Sequence, residues 1–192
     1  IAHISKTIEL NESFCHTIDV QGKIVTPGFI DQHVHITGGG GQQGYASLVP
    51  EVIMSELVAC GTTTVLGMLG TDGFAKELTT LYAKAKAIDD DGLSAYMLTS
   101  YYGLPTKTLM NSVADDLIFI DKVIGCKLAM SDDRSPFPTE QEILRIIHQV
   151  RLGGFTSGKG GILHIHLGAL PEGIEPLLNI ARHYPTLISY LS

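Results

Sequence analysis

Apolar and polar positions along the chain follow two alternating rhythms. Short runs that alternate or are continuously apolar occupy residues 28–35, 63–69, 93–100, 124–130, 162–167 and 187–191. Between them, at 49–59, 74–89, 115–123, 139–152 and 174–183, apolar residues recur at three- and four-residue intervals. The first kind predicts strands and the second helices. Strand then helix, repeated, predicts a parallel sheet, and right-handed crossovers leave an open doubly wound sheet or a closed (β/α) barrel. Two features favour the barrel. Polar residues able to do chemistry stand at the C-terminal ends of several strands, the face on which barrel enzymes build their sites. No Gly-rich dinucleotide fingerprint follows the first strand. The expected fold class is α/β, a (β/α)8 barrel of the TIM type, incomplete in this chain: five strand–helix units and a sixth strand are visible where closure takes eight. The barrel occupies 27–192, about five and a half units; residues 1–26 carry only alternating segments at 8–10 and 17–20 and read as small β structure outside it.

Composition narrows the functional classes. With 192 residues and 44% hydrophobic content the chain can bury a substantial core. A net charge of −7 without a Lys/Arg cluster offers no footprint for nucleic acid or an anionic membrane, so the expected partner is a small, locally recognised substrate. Cys15, Cys60 and Cys126 form no C-x-x-C pair and cannot all be paired within one chain, which favours a reducing, cytoplasmic setting. No signal peptide and no apolar run of about 18 residues is found, so a soluble protein is expected. The first residue is Ile1 and the last segment is apolar-rich, so both ends read as cut.

The candidate chemistry begins at Pro27-Gly28-Phe29-Ile30-Asp31-Gln32-His33-Val34-His35, which runs into Gly38 to Gly41. On a strand, His33 and His35 share one face. Phe29, Ile30 and Val34 make the run apolar enough for burial on both faces, as in parallel strands. Two neutral imidazoles at a strand end suit a divalent metal, or are ordinary hydrogen-bonded strand histidines. In Ile162-Leu163-His164-Ile165-His166-Leu167, alternation sends the histidines inward; His166 is the ligand candidate and His164, one layer deeper, a hydrogen-bonded core residue or a support for a ligand. Lys127 faces inward with the small Gly125 and Ala129, while Cys126, Leu128 and Met130 face the helices. Burial should leave Lys127 a neutral amine, able to take up carbon dioxide as a carbamate or to form a Schiff base, unless a carboxylate pairs with it. The Gly-rich segment 153–160 nearly fits a phosphate loop but runs helix-to-strand and carries Gly160 where a hydroxyl residue is needed; it reads as a connecting loop.

Together with Gly70-Thr71-Asp72, Gly125-Cys126-Lys127 running into Ser131-Asp132-Asp133-Arg134-Ser135, and His166-Leu167-Gly168, these motifs resemble the amidohydrolase superfamily and, within it, the bacterial isoaspartyl dipeptidases, zinc peptidases that cleave β-aspartyl dipeptides. The similarity runs along nearly the whole chain in unchanged order. It implies a (β/α)8 barrel with a small β domain, of which residues 1–26 are the N-terminal share. It implies two divalent ions, in that family zinc, with His33 and His35 on one, His166 on the other and a carbamate on Lys127 as the bridge. A histidine after the sixth strand and a general-base aspartate after the eighth would complete the set beyond Ser192. The resemblance further implies Tyr102 as the oxyanion donor, Arg134 as the grip on a substrate carboxylate, Thr71 and the Gly40 backbone as pocket lining, and a homo-oligomer. Without it, Tyr102 reads as a loop tyrosine on the barrel mouth, Arg134 as the partner of Asp132 or Asp133, and Asp72 as a helix cap. Gln42 stands where that family carries a glutamate for the substrate's free α-amino group, and Asp133 where it carries a histidine. The implied function is hydrolysis of an amide in a small peptide-like substrate, most directly a β-aspartyl dipeptide. The alternatives are a cyclic-amide hydrolase of the dihydroorotase or hydantoinase kind and a non-catalytic scaffold.

Overall fold

Five strands form one parallel sheet in chain order: β1 (Phe29–Val34), β2 (Thr62–Gly67), β3 (Ser94–Ser100), β4 (Val123–Met130) and β5 (Ile162–Leu167). The computed structural model describes residues 2–8 and 14–192. Helices α1 (Met54–Ala59), α2 (Leu78–Asp90), α3 (Val113–Phe119), α4 (Glu140–Ser157) and α5 (Glu175–His183) alternate with the strands. Local signals set their ends. Thr139 and Glu142 form a reciprocal capping box at the start of α4, and the Ser112 hydroxyl accepts from the Asp115 N–H at 3.0 Å at the start of α3.

The sheet is curled. Laid flat, β1 and β5 would lie roughly 19 Å apart, four strand spacings. Instead His33 on β1 and His164 on β5 touch, Nδ1 to Nε2 at 3.0 Å. The arrangement is a half-barrel, with the helices on its convex side. Alternation on the strands separates two apolar layers. Val65, Ala95, Met97, Cys126, Leu128 and Leu163 pack outward against Leu81, Leu117, Ile143, Ile147 and Val150 of the helices, while Leu66, Met68 and Leu98 form a smaller cluster on the other face. Each such fully buried aliphatic side chain contributes about 1.5–3 kcal/mol. The expected orientation of β4 holds: Cys126, Leu128 and Met130 lie in the outer layer and Lys127 does not.

Four expectations change. β1 is largely exposed, with Phe29 62% and Ile30 64% accessible, because it is an edge strand of the half-barrel with β2 as its one strand partner among the described residues. Residues 187–191 do not form a strand; Pro185–Tyr190 is a 3₁₀ turn, and strand pairing resumes only at Leu191, bridged to Leu163. Proline at the start of that turn and apolar residues spaced by three and four favour a helical path. Segment 153–160 is not all loop. Its first half is the last turn of α4, and Gly158, at φ 71°, ends the helix in the left-handed conformation. Gly153 is required there for contact: a Cβ on it would lie 2.7 Å from Cβ of Leu117. Of the N-terminal segments, Glu9 and Leu10 lie outside the described residues, and 17–20 forms no strand, having no neighbouring strand to complete a ladder. No helix among the described residues is long and apolar enough to cross a membrane.

Candidate active site

The C-terminal ends of the strands converge on one cavity of about 160 Å3. His33, Lys127 and His166 line it from β1, β4 and β5, His35 from the position just after β1, and Tyr102 and Arg134 from the loops after β3 and β4. Gly40, Gln42 and Thr71 line it as well, so every site residue singled out in the sequence faces the same space. His164 is outside the lining. It pairs with His33, as stated above, and with the Ser192 hydroxyl at 3.2 Å, in keeping with a supporting residue one layer below.

Each of these side chains is held by its surroundings. The Nδ1 of His35 lies 3.0 Å from the Met68 carbonyl, which can only accept; the proton is therefore assigned to Nδ1 and the Nε2 lone pair is left free. Gly70 makes room for that ring, since a Cβ there would stand 2.6 Å from Cε1 of His35. The sheet register sets Lys127 beside His164, and His166 beside Ala129. Tyr102 is tied to β4 through its carbonyl, which accepts from the Ala129 N–H at 3.1 Å. Thr71 donates its hydroxyl hydrogen to the Gly40 carbonyl at 2.9 Å, fastening the glycine-rich loop after β1 to the loop after β2.

Lys127 is the most unusual of them. It is 1% exposed, and its Nζ has no hydrogen-bond partner among the described residues. Burial lowers its pKa from 10.5 to about 8, so at pH 7 the group is still mostly an ammonium and not the neutral amine expected from the sequence, although a far larger share is uncharged than in a free lysine. His33 stands at the open side of the half-barrel, yet enclosure of its ring and, secondarily, the nearby Lys127 lower its pKa to about 4. Burial lowers His164 to about 4 as well, and His35 in the same direction. At neutral pH these imidazoles are uncharged electron-pair donors. The Tyr102 hydroxyl is buried, with no hydrogen-bond partner of good geometry among the described residues, and burial, followed by the neighbouring Asp132, raises its pKa above the usual phenol value.

Two carboxylates, Asp132 and Asp72, are built into the site more closely than an ion pair with Arg134 and a helix cap imply. Asp132 is 7% exposed and receives Arg134 in a fork, Nε to Oδ1 at 2.8 Å and Nη2 to Oδ2 at 2.6 Å. The same carboxylate accepts from the Arg134 backbone N–H at 2.9 Å and lies 3.1 Å from Nε2 of His166. The ion pair considered for Arg134 is thus present while the guanidinium also lines the cavity. An aspartate two residues before a turn residue is the sequence signal for such a local bond, but nothing in it marks the histidine partner. Asp72, fully buried in the 3₁₀ turn Thr71–Phe74, accepts from the Gly70 N–H at 2.9 Å and pairs with Lys76 at 3.2 Å. It folds back on that turn rather than capping α2, whose first turn follows Glu77.

Among the described residues no three His, Cys, Asp or Glu side chains are gathered at metal-ligating distance. The donors present nevertheless fit a divalent cation in kind. His33 and His35 are held uncharged, His166 adds an imidazole whose Nδ1 is free, and the partnerless Lys127 amine has space for a carbamate whose oxygens would complete the set.

No protein-family model matches the chain. Among solved structures it is similar to the β-aspartyl dipeptidase of Fervidobacterium islandicum AW-1, with 46% identity and a TM-score of 0.84 over 86% of this chain and 45% of that one. The same enzyme in complex with a β-Asp-Leu dipeptide matches equally, with TM-score 0.84 and 46% identity. Among curated proteins it is 31% identical over 103 residues to imidazolonepropionase of a Ruegeria species, and 29% identical over 108 residues to dihydroorotase of Halalkalibacterium halodurans. These cover 50% and 56% of this chain but 25% and 24% of those proteins, so the chain spans about a quarter of the length of its curated relatives and under half of the dipeptidase. A parallel half-barrel, a cavity at the C-terminal ends of its strands and similarity to enzymes of one kind lead to the same place: the chain belongs to the amidohydrolase superfamily.

Proposed function

We propose that this cavity is the metal-bearing half of an active site that hydrolyses an amide in a small peptide-like substrate, a β-aspartyl dipeptide. The observation that carries the reading is the buried, partnerless Lys127 amine beside uncharged imidazoles. A lysine of this kind costs stability, and strongly perturbed buried groups of this sort cluster at functional sites. The dipeptidase similarity, at 46% identity, supports the substrate class. Divalent-metal use is general in the superfamily. Zinc, a homo-oligomeric assembly, a cytoplasmic location and a small β domain drawing on residues 1–26 complete the proposal.

His33, His35, His166 and carbamylated Lys127 would hold the ions. Two such ions supply, when bound, activation of a water and polarisation of the scissile carbonyl. The chain's own residues do the rest. Tyr102 places its buried hydroxyl in the cavity, where it can donate to the oxyanion. A donor of this kind contributes roughly 3–4 kcal/mol in other enzymes. Arg134, with its plane fixed by Asp132, has outward N–H groups for a substrate carboxylate. Gln42 hydrogen-bonds the far end of the substrate without supplying charge.

A contiguous outer cavity of about 350 Å3, sharing Gln42, Thr71, Tyr102 and Arg134, leaves room for the leaving residue against Tyr101, Leu104 and Pro136. The second reading, cyclic-amide hydrolysis, draws on the dihydroorotase similarity and uses the same donors. The test is metal analysis of the full-length protein beside Lys127→Ala, with bicarbonate or a short-chain acid added back, and release of leucine from β-Asp-Leu against opening of dihydroorotate. Loss of metal in the variant, its recovery on rescue and cleavage of the dipeptide are expected. Metal content untouched by the substitution would remove the bridging role.

A further inference from the structure

Asp132 joins two parts of the pocket that the reading above treats separately. Its Oδ2 is shared: Nη2 of Arg134 lies 2.6 Å away and Nε2 of His166 3.1 Å away. Because a carboxylate only accepts, His166 carries its proton on Nε2 when this contact is made, and Nδ1 is its one remaining lone pair. The carboxylate itself is rigidly placed. Its Oδ1 also takes the Arg134 backbone N–H, the Ser131 before it sits at φ 53°, a left-handed conformation uncommon outside glycine, and the Ser131 hydroxyl bonds the Gly173 carbonyl at 2.6 Å. Gly168, directly after β5, brings the neighbouring loop so close that a Cβ on it would lie 2.4 Å from Cβ of Asp132. Arg134, by contrast, keeps 35% of its side chain exposed and lines both cavities.

We propose that Asp132 is a positioning residue that couples the two sites: a carboxylate ligand drawing on Arg134 releases Oδ2 toward His166, so that carboxylate and cation bind interdependently. Resting on the pocket's proposed function, this predicts reciprocity, since whatever factor the carboxylate adds to cation affinity the cation must add to carboxylate affinity.

The experiment is a zinc titration of the metal-stripped full-length protein against a competing chelator, with and without saturating succinate, a dicarboxylate that contains no amide to cleave. Zinc bound by succinate alone is subtracted from a protein-free control. In the wild type succinate should tighten zinc binding by about 10-fold, within the ~5–150-fold span of typical couplings. In Asp132→Asn that ratio should fall by at least ~5-fold, while zinc and succinate each still bind, and Asp132→Glu should restore part of it. A simple loss of packing would weaken both ligands without changing the ratio. An equal ratio in wild type and Asp132→Asn overturns the proposal, as does a wild type that binds zinc with no response to succinate; a wild type that binds no zinc overturns the underlying reading of the pocket along with it. If Asp132→Asn does not fold, Arg134→Lys keeps a cation for succinate without the fork and should show the same fall, and a wild-type ratio in that variant overturns the coupling.

Discussion

Replacing Lys127 with methionine should stabilise the metal-free protein. Methionine keeps an unbranched side chain, one heavy atom shorter, and removes the ammonium, which has no partner among the described residues. Lys127 is 1% exposed and burial lowers its pKa from 10.5 to about 8, which corresponds to about 3 kcal/mol of destabilisation at neutral pH. The general cost of an unpaired buried polar group, about 1–3 kcal/mol, is of the same order. The depressed value means that the unfolded chain binds more protons than the folded one between about pH 8 and 10.5, so this contribution to stability rises with pH across that window and is at its worst below it. Wild type and Lys127→Met are to be compared by urea unfolding in carbon-dioxide-free, chelator-treated buffer. Far-UV circular dichroism is the signal, because the chain contains no tryptophan. The variant should be more stable by about 3 kcal/mol at pH 7, and the gap should close toward pH 10.5. A variant less stable than wild type at pH 7, or a gap that does not change with pH, would refute the reasoning by showing that the ammonium has a partner in the folded protein.

Substrate preference should follow Gln42: kcat/KM for a β-aspartyl dipeptide and for its N-acylated analogue should differ little, and Gln42→Glu should shift the ratio toward the free amine by about 10-fold or more, the worth of a charge-assisted bond of roughly 1.5–3 kcal/mol. A strong wild-type preference for the free amine would sink that idea. Asp116 is fully buried and accepts from the Thr99 hydroxyl and from the N–H groups of Leu109 at 2.9 Å and Met110 at 2.7 Å, so it holds the loop after β3, which carries Tyr102. Asp116→Ala strands those donors and should cost about 3 kcal/mol or more in urea unfolding; a loss under about 1 kcal/mol would mean the loop is held elsewhere. Of the three cysteines, Cys15 and Cys60 are exposed, while burial pushes the Cys126 thiol up to about 12. A thiol reagent at pH 8 should therefore label two sites in the native protein and the third only after denaturation.

Much of this protein is local enough to read from residue order. The strand and helix rhythm located all five strand–helix units, because a buried parallel strand and an amphipathic helix each leave a short-range imprint. Period-two alternation also separated Cys126 and Leu128, which pack on the helices, from Lys127 between them, which lines the cavity. It failed at 187–191, where apolar content alone does not distinguish a strand from a 3₁₀ turn opened by Pro185. It failed again in judging β1 buried, since burial depends on neighbours and not on the strand's own composition.

What the amino-acid order determined by itself was the fold class and the residues that share a strand face, both consequences of side-chain periodicity within a few positions. Tertiary structure alone decided the rest. The curl of the sheet brought His33 within 3.0 Å of His164, 131 residues away, and the loop after β4 set Asp132 between Arg134 and His166. Packing left the Lys127 amine without a partner among the described residues. Such contacts depend on how distant segments close on one another, and no local pattern encodes whether a buried polar atom will find a match.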